Sequence, residues 1–188
     1  MRWIKRLLPA LLWGVPLLLL LPSGELLLLA SAILLHEAGH LLALSALGEP
    51  APALSAVAAG LTLSLKRQLS YWREATVALA GPLANLLLGL PLLLFDGIGD
   101  SGRLVGAVHV LTAAMNLFPL RASDGGRALR AVASCLFPLR AAEAICNTVA
   151  VSTLTILLLF ALFLLHSAGG GGALILLVGL LSRATAER

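Results

Sequence analysis

A chain of 188 residues that is 60% hydrophobic and only 12% charged, with a mean hydropathy of +1.01, reads as a polytopic membrane protein and not as a soluble globular domain. The net charge of +4 comes from short juxtamembrane groups of Lys and Arg without interleaved aromatics, which argues against nucleic acid as a partner and for orientation in a bilayer. Cys135 and Cys146 lack CxxC spacing, so they read as reduced packing thiols and not as a disulfide framework or cysteine zinc site.

Apolar runs predict about six transmembrane helices, over residues 7–21, 26–47, 75–95, 104–118, 141–165 and 173–181. The first follows Arg2, Lys5 and Arg6, which is also the layout of a cleaved signal peptide. No small-x-small site follows it, however, and Pro22-Ser23-Gly24-Glu25 fits a tight hairpin into the second span. With a cytoplasmic N-terminus, every Lys and Arg except Arg103 falls on the cytoplasmic side, which predicts an even number of spans and both termini in the cytoplasm.

The second span carries His36-Glu37-Ala38-Gly39-His40. Four residues apart on a helix, the two imidazoles share a face and can reach one Zn²⁺, and Glu37 is close enough to activate a metal-bound water. A polar packing cluster or a non-catalytic metal site is the bland alternative. Against it stands the cost of two His and a Glu in mid-membrane, several kcal/mol unless they pair or bind a cation.

Between the second and third spans, the stretch from Gly48 to Trp72 is too short for a soluble domain. Within it Leu61-Thr62-Leu63-Ser64-Leu65 alternates with period two. It reads either as a short strand whose edge could take a substrate strand or as an amphipathic loop. In the third span Asn85 is a candidate to hold a substrate backbone or, alternatively, to bridge helices.

The fourth span contains His109, which reads as a hydrogen-bonded packing residue, and ends in Asn116-Leu117-Phe118-Pro119-Leu120-Arg121-Ala122-Ser123-Asp124-Gly125-Gly126. Pro119 and the glycine pair interrupt it near the cytoplasm, where irregular backbone can line a polar cavity. Asn116, Pro119, Gly125 and Asn85 are the candidate lining residues of such a cavity. Two His leave a zinc one protein ligand short. Asp124 can supply it, or can simply cap a helix beginning near Gly125.

Three of these segments, in this order, resemble the site-2 proteases, a family of intramembrane zinc metalloproteases. His36-Glu37-Ala38-Gly39-His40 looks like the family's metal motif, Ala80-Gly81-Pro82-Leu83-Ala84-Asn85 like its third-helix motif, and Asn116 with Pro119 and Asp124-Gly125-Gly126 like its Asn-Pro and Asp-Gly segment. One departure is visible: Arg121-Ala122-Ser123 stands where family members often carry a second proline. The resemblance implies one Zn²⁺ per chain bound by His36, His40 and Asp124, with Glu37 as catalytic base. It also implies a membrane-associated β-hairpin between helices 2 and 3. The compact layout, a single transmembrane protease domain over 1–188 with its core at 26–126 and no PDZ or CBS domain, is most similar to the branch typified by the stage IV sporulation protease FB.

The expectation is therefore an all-α polytopic protein of a bacterial cytoplasmic membrane that hydrolyses a peptide bond in or near a transmembrane segment of a membrane-bound protein or peptide, with a regulatory membrane protein as a further partner. A zinc-binding scaffold without proteolysis and a small transporter are the alternatives. No internal repeat of the kind a transporter carries is visible, and Glu37 and all three ligand candidates are present.

Overall fold

The computed structural model describes residues 23–49, 53–57, 60–64, 69–95 and 97–168. In chain order these form α1 (Ser23–Ala46), β1 (Ala53–Val57), β2 (Gly60–Ser64), α2 (Tyr71–Leu94), α3 (Gly99–Leu117), α4 (Asp124–Leu136) and α5 (Leu139–Ala168). The first and sixth expected spans, residues 7–21 and 173–181, lie outside the described residues. Among the described helices, Gly24–Ala46, Tyr71–Leu94 and Leu139–Phe163 are long and apolar enough to cross a membrane.

The fourth expected span corresponds to α3, which begins at Gly99 and not at 104. It takes in Asp100 and Arg103 in its opening turns and His109 and Asn116 further on, and this polar content keeps it out of the apolar class. Its end is set by Pro119: Phe118, the residue before it, turns to extended backbone at ψ 133°, as the proline ring demands of its predecessor. Pro138 acts likewise on Phe137, which closes α4 in extended backbone at φ −130° and ψ 154°. Between those two prolines lies a separate 13-residue helix, α4, which begins one residue before the Gly125 start that the capping alternative supposed.

The helix α2 packs against α1, α3 and α4, and α4 in turn against α5. The contact surfaces are made of small residues. A Cβ on Gly39 of α1 would lie 2.6 Å from the Ala80 carbonyl oxygen and 2.9 Å from the Ala84 Cβ of α2, so glycine is what lets these two backbones approach. Ala32, Ala78, Ala113 and Ala142 are fully buried, whereas Leu27, Leu34, Leu42, Leu87, Leu94, Ile156 and Phe163 point outward. Alanine inside and leucine outside is the pattern of helices packed in lipid, where tails solvate the large side chains and only close packing holds helices together. Cys146 is buried beside Ala133 and Ala142 under Leu129, which makes it a packing residue between α4 and α5, and both cysteines are free.

Between α1 and α2, β1 and β2 pair antiparallel, with Ala53 opposite Ser64 and Val57 opposite Gly60.

Candidate metal centre

The periodicity of α1 puts His36 and His40 on the face turned to α2, one turn apart and both buried, their rings edge to face with centroids 4.7 Å apart. Asp124, the first residue of α4, is brought 88 positions along the chain to meet them. Its Oδ2 lies 2.8 Å from His36 Nε2 and 3.3 Å from His40 Nε2, and the two Nε2 atoms are 3.1 Å apart.

The donor set has a definite character. His40 Nδ1–H donates to the Val77 carbonyl oxygen of α2 at 2.7 Å. That bond fixes the tautomer and leaves the Nε2 lone pair facing Asp124 and His36. A carboxylate oxygen and two ring nitrogens crowded within about 3.3 Å repel one another unless a proton or a cation lies between them. In a tetrahedral zinc site with ligand distances of about 2.0–2.2 Å, neighbouring ligand atoms are separated by about 3.3–3.6 Å, so the three atoms need only spread by a few tenths of an ångström from their 2.8, 3.1 and 3.3 Å separations. Two imidazole nitrogens and one carboxylate also form a known class of catalytic zinc ligand set with one position left for water. The residues fit the ion.

Gly81 explains how the rings are housed. A Cβ there would sit 2.5 Å from His40 Nε2, 2.6 Å from His40 Cε1 and 2.9 Å from His36 Cε1. The bare glycine surface of α2 is the wall against which both imidazoles rest.

Asp124 is positioned by the break in the chain after α3. Ser123 caps α4: its hydroxyl oxygen accepts from the Gly126 N–H at 3.2 Å, and its hydroxyl hydrogen is shared between the carbonyl oxygens of Phe118 and Leu120. The cap is thus Ser123 and not Asp124, which leaves the Asp124 carboxylate for the histidines. The two glycines that follow permit the fold-back, since a Cβ on Gly125 would meet the Leu117 carbonyl oxygen at 2.0 Å and one on Gly126 the Leu120 carbonyl oxygen at 1.7 Å. Burial alone would raise the Asp124 carboxyl pKa, but when His36 and His40 are protonated their hydrogen bonds and charge outweigh burial and hold it below the usual carboxylate range. Arg127 Nη1 stands 3.5 Å from the other carboxylate oxygen.

Glu37 follows His36 on the same turn and is half-buried. The other expected lining residues make contacts of their own. Asn85 is fully buried; its Oδ1 accepts from His109 Nδ1–H of α3 at 3.0 Å, which bridges helices, while among the described residues its Nδ2 has no partner. Asn116 Nδ2 donates to the Thr112 carbonyl of its own helix at 3.0 Å. Pro119 acts by ending α3, and Gly125 by packing on Leu117. His109 is a hydrogen-bonded packing residue, as its sequence position implied.

Three contributors escaped the sequence reading: the Ser123 cap, the Val77 carbonyl and the Gly81 wall. A Ser directly before a helical Asp-Gly-Gly start was a legible capping signal; the other two depend on how α1 and α2 are rotated against each other. Ser123→Ala is expected to cost about 1 kcal/mol of stability and to loosen Asp124, checked by thermal unfolding alongside zinc content.

No protein-family model and no curated protein matches the sequence. Among solved structures, the chain is similar to the site-2 protease from Methanocaldococcus jannaschii, with a TM-score of 0.59 and 25% identity over 84% of this chain and 72% of that one. The resemblance to the site-2 proteases carried by the motifs is thus met by the fold. As a site-2 protease relative it shares the fold of an intramembrane protease, and its apolar helices mark it as a membrane protein. The buried group His36, His40 and Asp124, whose ligand atoms all lie within 4.8 Å of one another, is consistent with a zinc site in this family.

Proposed function

We propose that this protein is an intramembrane zinc metalloprotease that hydrolyses a peptide bond in or near a transmembrane segment of a membrane-bound substrate. The observation that carries the proposal is the convergence of three metal-competent atoms from α1 and α4, one residue away from a carboxylate able to act as base.

His36, His40 and Asp124 would hold the ion. Zinc bound there would polarise the scissile carbonyl and lower the pKa of a bound water to about 7. Glu37 takes the proton of the attacking water and returns it to the leaving amine. Val77 keeps His40 in the tautomer that presents Nε2, and the negative charge of Asp124 would offset part of a bound metal's charge in a region of low dielectric.

A helical substrate hides its scissile carbonyl in an i to i−4 hydrogen bond and must unwind before cleavage. The paired β1–β2 segment, placed between α1 and α2, supports the reading that an exposed strand edge receives the unwound segment by β-augmentation at the membrane surface. Both termini on the cytoplasmic side of a bacterial membrane, and a membrane protein that regulates access, complete the proposal. The distribution of Lys and Arg supports the orientation.

The test is proteolysis by the purified full chain in proteoliposomes containing a panel of single-span peptides, with products identified by mass spectrometry. Cleavage abolished by a zinc chelator and restored by added zinc is the expected result. Cleavage that persists after the metal is stripped, or no cleavage of any panel member by the zinc-loaded protein, would contradict it.

A further inference from the structure

A second site lies apart from the histidines. A cavity of about 150 Å³ opens where the first turns of α2 and α5 meet the outer face of α4, lined by Tyr71, Glu74, Arg127, Arg130, Ser134 and Glu143. Its depth is set by the helices that border it. Tyr71 and Leu139 are the first residues of two helices long and apolar enough to cross a membrane, which sets the cavity at the level where apolar core would give way to headgroups. Tyr71 and Trp72 are exposed there, as aromatic side chains at a membrane interface commonly are.

The charges around this cavity are complementary, and among the described residues only Arg127 of them has an ion-pair partner, Asp124 at 3.5 Å. Arg127 and Arg130 project from one face of α4, while Glu74 and Glu143 come from α2 and α5. Among the described residues no ion pair joins either carboxylate to either guanidinium. The arrangement offers planar donors for a phosphodiester on one side and carboxylate acceptors for an ammonium on the other. A ligand carrying only negative charge would meet both carboxylates, and one carrying a quaternary amine would give them no N–H.

We propose that this cavity binds the headgroup of a phosphoethanolamine lipid, with the phosphodiester on Arg130 and Arg127 and the primary ammonium on Glu143 and Glu74. Because Arg127 also stands beside Asp124, the occupied headgroup site abuts the outer side of the metal centre. The assignment does not depend on the protease activity.

Native mass spectrometry of the full chain in detergent, offered equal amounts of dioleoyl phosphatidylethanolamine, phosphatidylcholine and phosphatidylglycerol, tests it. One retained phosphatidylethanolamine is expected, preferred over each of the other lipids by about tenfold, the worth of one charge-assisted hydrogen bond at a partly exposed site. Arg130→Gln and Glu143→Gln, both at exposed positions, should each remove the preference while the protein still elutes as a single folded species. Equal retention of phosphatidylcholine, stronger retention of phosphatidylglycerol, or an unchanged preference in both variants would overturn the proposal. So would displacement of the lipid by soluble glycerophosphoethanolamine at equal concentration, which would move the source of the ligand from the bilayer to solution.

Discussion

Glu37→Gln is expected to abolish cleavage while leaving zinc in place. The substitution keeps the size and hydrogen-bonding reach of the side chain but removes its ability to accept a proton at neutral pH. General-base catalysis by a positioned side chain contributes about 10²–10⁴-fold, so the loss should be at least about 10²-fold in kcat. The metal should be retained because His36, His40 and Asp124, and not Glu37, form the convergent group. Metal content and turnover measured on the same preparation separate the two effects. Cleavage at the native rate by zinc-loaded Glu37→Gln protein would remove Glu37 from its role, and loss of zinc in that variant would make it a ligand.

Gly81→Ala is expected to disable the centre from outside the ligand set. The new methyl would stand 2.5 Å from His40 Nε2 and 2.9 Å from His36 Cε1, inside van der Waals contact with both rings. Neither side can give easily. The imidazoles are tied by His40 to the Val77 carbonyl and by both to Asp124, and α1 already lies against α2 where a Cβ on Gly39 would come 3.0 Å from the Gly81 Cα. Perturbing a group that orients metal ligands costs about 10–100-fold in metal affinity, and a shift of that size in a zinc competition titration is the expected result. Unchanged affinity would mean that the rings do not rest on this wall. Leu83→Ala, an exposed position two residues along the same helix, should leave affinity unaltered and controls for general damage to α2.

The histidine pair and its glutamate were legible in the sequence because their chemistry is encoded in one helical turn: spacing alone puts both rings on one face. Asp124 was not decided by spacing, since an Asp before two glycines suits a cap as well as a ligand. What decided its place was Ser123, which takes the capping bonds and frees the carboxylate. The partners of Asn85 and Asn116 were not fixed by the sequence for another reason. An amide in an apolar helix bonds to the nearest partner, and whether that is His109 on a neighbour or Thr112 on the same helix follows from helix rotation, which hydropathy does not report. The spans of α1, α2 and α5 followed from apolar length, whereas for α4 only a start near Gly125 was legible, because a short, arginine-bearing helix between two prolines has the composition of a cytoplasmic loop.

The central claim is that α1 and α4 build one zinc site, and zinc per chain in the purified protein, native beside Asp124→Asn, tests it most directly. An amide in place of the carboxylate keeps the shape and removes the charge, so the account predicts one tightly held zinc in the native chain and a markedly weakened site in the variant. Full zinc in Asp124→Asn, or none in the native protein after supplementation, would contradict it.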